Sequence, residues 1–212
     1  MMKNINRNTV KGLRDYLIVL ILLDTGIRLS ELVGLTLGNI DFEQSCFLVC
    51  GKGDKERMVP FGNGVRRVLW QYIKESRARL QFEDTDQVLI NESGLPVRKR
   101  AVQTMISRLG KRSGITGVRC SPHTFRHTFA KQYLMLGGDV FSLQRILGHS
   151  SLEIVRLYIN LATSDISEQH RRYSPIDNYY SKRRKGKFAN EIRKDNSLLK
   201  SIERLGFFKN RM

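Results

Sequence analysis

Residues 17–23 form the longest unbroken apolar run in the chain, and they constrain the fold more than any other segment. With the residues before them they predict a helix over 9–24 that is apolar nearly all round in its second half. A helix without a polar face in that half must be covered from several sides, so it belongs at the centre of a core. A bilayer crossing needs ~20 such residues, so the run is too short to be a membrane span. Arg14 and Asp15 interrupt its approach and Asp24 ends it, so no secretory signal is expected. A chain of 212 residues, 41% of them hydrophobic, can wrap such a helix within one globular domain plus an appendage.

The remaining pattern is mostly helical. Thr25-Gly26 breaks the first helix, and Ser30 is the expected N-cap of a short one reaching residue 35. That places Arg28 in a turn between helices, where its side chain can face a ligand. Residues 47–50 and 57–60 have strand character, with hairpin chemistry in Gly51-Lys52-Gly53-Asp54 between them. Residues 63–80 read as a long helix with Val65, Leu69, Tyr72 and Ile73 on one side. A second helix over 97–111 exposes Arg98, Lys99, Arg100 and Arg108, and 87–90 is a short candidate strand between the two. Pro122 fits the first turn of a helix running to residue 136, where Gly137-Gly138 ends it. Further helices are expected over 140–147, closed by Gly148, and over 151–161, bearing Tyr158. The fold class is therefore mainly α with a small antiparallel β-sheet.

A formal charge of +17 points to a polyanionic partner, of which nucleic acid is the commonest. Residues 171–212 hold 13 Lys or Arg against 4 Asp or Glu, about half of that excess, so the rest of the chain is still basic. After Ser174-Pro175 the composition shifts to a basic linker, followed by a candidate amphipathic helix over 188–205. Three cysteines, Cys46, Cys50 and Cys120, form no CxxC pair, and their odd number argues for a reducing compartment. A cytoplasmic protein without membrane association is expected.

Four segments carry chemistry: Thr25-Gly26-Ile27-Arg28-Leu29-Ser30-Glu31-Leu32, Ser121-Pro122-His123-Thr124-Phe125-Arg126-His127, Leu147-Gly148-His149-Ser150-Ser151 and Val155-Arg156-Leu157-Tyr158. They resemble the catalytic boxes of the tyrosine recombinase (phage integrase) family. The hairpin Val49-Cys50-Gly51-Lys52-Gly53-Asp54-Lys55-Glu56-Arg57 is similar to the one carrying that family's lysine, with Lys52 as the match and Lys55 in the same turn. Arg126 follows His123 by 3 residues, His149 follows Arg126 by 23, Tyr158 follows His149 by 9 and Lys52 follows Arg28 by 24. The resemblance covers roughly residues 10–175. Rival motifs fail: Thr124 stands where a zinc protease needs Glu between His123 and His127, and the Gly51-Lys52-Gly53 turn lacks P-loop spacing.

The resemblance implies a catalytic-domain fold over 1–175, a basic tail over 176–212, and absence of the family's separate N-terminal core-binding domain, since only 27 residues precede Arg28. It implies a site-specific DNA recombinase or integrase working through a 3′-phosphotyrosine, that of a phage or mobile element in preference to a dedicated chromosome or plasmid resolvase. Arg28 and Arg126 would clamp the phosphate and His123 would take the phenolic proton of Tyr158. Lys52 would protonate the leaving 5′ oxygen, and His149 would bond a non-bridging oxygen. Glu31 matches an acidic position that supports the site. No metal or cofactor is expected. Double-stranded DNA is the expected partner, with a homotetramer on synapsed duplexes and a monomer or weak oligomer in free solution. The competing readings are a type IB topoisomerase-like activity and a DNA-binding accessory protein that keeps the fold without cleavage.

Overall fold

The structure, a computed structural model, describes residues 1–51, 56–78, 85–148, 170 and 173–176. The chain divides into two compact units, Met1–Ala162 and Thr163–Met212, and the elements below all belong to the first. Lys52, His149 and Tyr158 lie outside the described residues, as do the expected helix over 151–161 and the tail helix.

Helix α1, Val10–Thr25, is the central element. Thr9 caps it by accepting the Gly12 N–H on its hydroxyl at 3.0 Å. Leu17, Ile18, Val19, Ile21 and Leu22 are all buried, which spreads burial around the helix as its apolar run requires. Helices α3 (Asn63–Gln71), α4 (Lys99–Arg112) and α5 (Pro122–Met135) pack on it. The buried Arg14 is satisfied by Asp15 and by the Ile90 carbonyl. Among the described residues no helix is long and apolar enough to cross a membrane.

The sheet has three antiparallel strands in the order β1 (Ile40–Asp41), β2 (Cys46–Cys50) and β3 (Glu56–Pro60). Phe47 pairs with Val59 and Val49 with Arg57, so the core-facing side of β3 carries both Val59 and Arg57. β1 has only two paired residues, too few for a pattern to be visible in sequence.

Residues 87–90 form no strand, contrary to expectation. Leu37 N–H bonds the Asp86 carbonyl and Val88 N–H the Leu35 carbonyl on one side, while Val97 N–H bonds the Leu89 carbonyl on the other. Only one bridge forms on each side, and Pro96 in one of them has no N–H to continue a ladder. Because Val97 is used here, α4 begins at Lys99 rather than at residue 97; Arg98, Lys99, Arg100 and Arg108 are exposed, as the pattern predicts. α3 passes into a π-helical segment, Tyr72–Arg77. Its ends grip the same connection: the buried Tyr72 hydroxyl accepts the Ile90 N–H at 3.3 Å, and Arg77 donates to the Gln87 and Thr85 carbonyls.

The short helix α2, Leu29–Val33, is capped by Arg28 and not by Ser30. The reason is Glu31, whose carboxylate accepts the Arg28 backbone N–H at 2.9 Å and fixes the first turn one step earlier. α5 starts as expected, with the Ser121 hydroxyl accepting the Thr124 N–H and Pro122 in the first turn. α6 spans Val140–Leu147 and is closed by Gly148 in the left-handed conformation. Phe129, Ala130, Leu143 and Leu147 form a smaller core between α5 and α6.

Candidate active site

The α1–α2 turn, the N-terminal end of α5 and the C-terminal end of α6 meet at one place. Gly26 ends α1 at φ 60°, and a Cβ there would lie 2.4 Å from Phe129 Cδ1 and 2.9 Å from Leu147 Cδ2. Only glycine lets this turn sit against α5 and α6. The contact carries Arg28 beside Arg126, and both line a cleft of about 690 Å³ together with His123, Arg119, Gln103 and Thr124. Three of the six residues singled out by sequence are thus brought together, and the other three lie outside the described residues.

The three guanidiniums here are arranged in series on the end of α6. Arg57 Nε donates to the Ile146 carbonyl at 2.9 Å, Arg126 Nη2 to the Leu147 carbonyl at 2.6 Å and Arg28 Nη2 to the Gly148 carbonyl at 2.8 Å. A helix C-terminus leaves such carbonyls without intrahelical donors, and its dipole favours cations. Arg126 also donates from Nη1 to the Gly26 carbonyl at 2.7 Å, tying the α1–α2 turn to the same point. The backbone immediately before His149 is thereby held by side chains from β3, α5 and the α1–α2 turn.

Glu31 is the counter-charge. Its buried carboxylate accepts both Arg57 Nη groups, at 2.7 and 2.8 Å, and Arg28 Nη1 at 2.9 Å. Burial pushes the Glu31 carboxyl up, but the Arg57 and Arg28 hydrogen bonds outweigh it and bring the pKa to about 2. Among the described residues, three guanidiniums against this carboxylate leave positive charge in excess. Arg126 registers this: burial, then the charges of Arg28 and Arg57, lower its pKa to about 10 despite the opposing pull of Glu31. An anion entering the cleft would relieve that repulsion.

His123 is exposed at the α5 N-terminus, and its Nε2 is 2.6 Å from the Nε2 of His127 one turn on. One nitrogen donates and the other accepts, so at least one ring is neutral. Burial first, then His123 and Arg126, hold the His127 pKa below its ordinary value.

Arg57 is the site residue that sequence reading misses. Its strand position offered a signal: it lies two residues before the buried Val59, on the face that turns inward. An arginine there requires a buried carboxylate, and Glu31 supplies one.

A model described as the phage integrase family matches residues 1–165. The chain belongs to the phage integrase family. Among curated members, the tyrosine recombinase XerD of Staphylococcus aureus is 36% identical over 169 residues, which are 79% of this chain and 57% of that protein. The tyrosine recombinase XerC of Lacticaseibacillus casei is 32% identical over 179 residues, covering 83% of this chain and 60% of that protein. The crystal structure of the XerA recombinase superposes with a TM-score of 0.65 at 32% identity, over 76% of this chain and 57% of that one. The Tn1549 transposon integrase in complex with transposon right end DNA gives 0.59 at 25% identity, over 74% and 56%. This integrase-family chain therefore spans little more than half the length of the curated relatives it matches. The mainly helical fold with a small antiparallel sheet, expected from sequence, is the one these neighbours share.

Proposed function

We propose that this chain is the catalytic part of a site-specific DNA recombinase that breaks and rejoins strands through a 3′-phosphotyrosine at Tyr158. The observation that carries this reading is the cleft joining Arg28, Arg126 and His123, with more guanidinium than carboxylate around it among the described residues and the positive end of α5 facing it. A phosphodiester is the anion that fits. Arg28 and Arg126 donate N–H groups to its non-bridging oxygens, which gain charge in the transition state. The Tyr158 oxygen attacks phosphorus as the bond to the 5′ oxygen breaks. His123 takes the phenolic proton, and Lys52 gives one to the departing 5′ oxygen. His149, next after the held Gly148, bonds a non-bridging oxygen. The tyrosyl ester keeps the bond energy for rejoining, so no nucleotide is consumed.

The partner is double-stranded DNA, and strand exchange takes place in a homotetramer on two synapsed duplexes. XerH bound to difH substrate and the Tn1549 integrase complex, both among the similar structures, were determined with DNA. Of the origins open to such an enzyme, the higher identities to XerD and XerC support a Xer-type resolvase, and the 25% identity to a transposon integrase supports a mobile-element enzyme less strongly.

The test uses a pool of nicked duplexes with a randomised core, in which cleavage releases a short strand and traps the intermediate. The wild-type chain gives an SDS-resistant protein–DNA adduct that Tyr158→Phe does not. Retarded DNA without an adduct would overturn the cleavage reading and leave a DNA-binding module. Relaxation of a single supercoiled plasmid without synapsis would replace recombination by topoisomerase-like activity.

A further inference from the structure

We propose that Arg57 is a positioning residue for the strand-cleavage site, one that sets Arg28 and the turn at Gly148 through Glu31 and the end of α6. The inference rests on the proposed function for its kinetic consequence, but its geometric basis stands alone. Arg57 uses all three guanidinium nitrogens: Nη1 and Nη2 on the two Glu31 oxygens, and Nε on the Ile146 carbonyl. Glu31 Oε1 is shared between Arg57 and Arg28, so the position of one guanidinium constrains the other.

The Gly148 turn is fitted to Arg57 rather than merely near it. Gly148 has φ 62°, and a Cβ on it would lie 2.8 Å from Arg57 Nε and 2.9 Å from Cδ. The arginine stem therefore packs flat against the residue whose carbonyl Arg28 holds. Arg57 also stands in β3 opposite Val49, five positions after Lys52 in the sequence. One side chain thus links the β2–β3 pair, the carboxylate that orients Arg28, and the backbone at Gly148. A lysine cannot replace it, because a single ammonium does not bridge a carboxylate in a two-pronged way and reach a carbonyl on another element.

The experiment compares the 212-residue wild-type chain with Arg57→Met, Arg57→Lys and Arg57→Met/Glu31→Gln on adducts formed with the nicked-duplex pool. For Arg57→Met, DNA retardation stays within about twofold of wild type while the adduct rate falls by at least about tenfold, with little recovery in Arg57→Lys. The rate also acquires an acid limb, because Glu31 without its strongest partner titrates nearer the ordinary carboxylate range, and that limb disappears in the double variant. A role confined to stability would not produce a pH limb that a second substitution removes. A wild-type rate in Arg57→Met, or a loss that is uniform with pH and tracks thermal unfolding, overturns the proposal. If the wild-type chain forms no adduct, the cleavage reading falls and the Arg57 link is decided by NMR of the guanidinium protons. Slow exchange of Arg28 Nη–H that is lost in Arg57→Met supports the link, and unchanged exchange overturns it.

Discussion

Replacing Glu31 by Gln removes the negative charge that sits among three guanidiniums while keeping the shape of the side chain. The introduced amide could still accept on its oxygen, but its N–H₂ would face a guanidinium N–H where the carboxylate accepted one. Breaking a buried ion pair by removing one partner costs about 3–5 kcal/mol. An independent figure comes from proton linkage. The folded-state pKa of about 2 lies below the ordinary 4.5. That difference corresponds to about 3 kcal/mol of stability at neutral pH. Because the folded value is the lower one, this stability is fully present above the ordinary carboxylate pKa and is lost as pH falls towards about 2. The difference between wild type and Glu31→Gln should therefore be about 3 kcal/mol near pH 7, and about 2 kcal/mol of it should vanish between about pH 5 and about pH 3. Urea unfolding followed by circular dichroism over that range measures it. A difference that is the same at both ends would refute the claim that the charge of Glu31, rather than its shape, holds the arginines.

Other perturbations probe the same geometry. Arg126→Lys forfeits the fork that serves Gly26 and Leu147, so it should cost about 1–3 kcal/mol in unfolding and slow adduct formation by at least about 100-fold. Full activity would separate Arg126 from the reaction. Gly26→Ala puts a Cβ at positive φ against Phe129 and should destabilise by about 2–4 kcal/mol in the same assay; a change under about 0.5 kcal/mol would contradict the close contact of that turn with α5. The pKa of His127 is lowered from 6.5, so its protonation favours the unfolded chain, and thermal stability should decline as pH drops through about 6.5 towards the lower folded value. His127→Gln should lack that component, and an unchanged slope would assign it to another group.

Much of this fold could be read from local pattern. The apolar run of residues 17–23, the Pro122 start and the Gly148 stop each mark an element through interactions within a few residues, and α1, α5 and α6 lie where those signals put them. The gathering of Arg28, His123 and Arg126 around one cleft was implied by the resemblance of their boxes to those of a known family. What sequence did not reveal depends on partners far along the chain. Ser30 has the better capping side chain, yet Arg28 occupies the cap because Glu31 reaches back to its N–H. Residues 87–90 have strand composition but are divided between two neighbours that each offer a single bridge. Arg57 finds Glu31 26 positions earlier and the Ile146 carbonyl 89 positions later, and no periodicity encodes either distance. The three arginines on the α6 carbonyls are an outcome of packing, visible only once β3, α5 and α6 are assembled.

The proposed strand cleavage depends on where a backbone phosphate sits. A crystal structure of the Tyr158→Phe variant with a nicked duplex recovered from the randomised pool tests this most directly. The proposed chemistry requires one backbone phosphorus in the cleft, with hydrogen bonds to its non-bridging oxygens from both Arg28 and Arg126, His123 beside it and position 158 in line with the 5′ oxygen. A duplex bound elsewhere on the chain, or a phosphate that one of the two guanidiniums cannot reach, would contradict it.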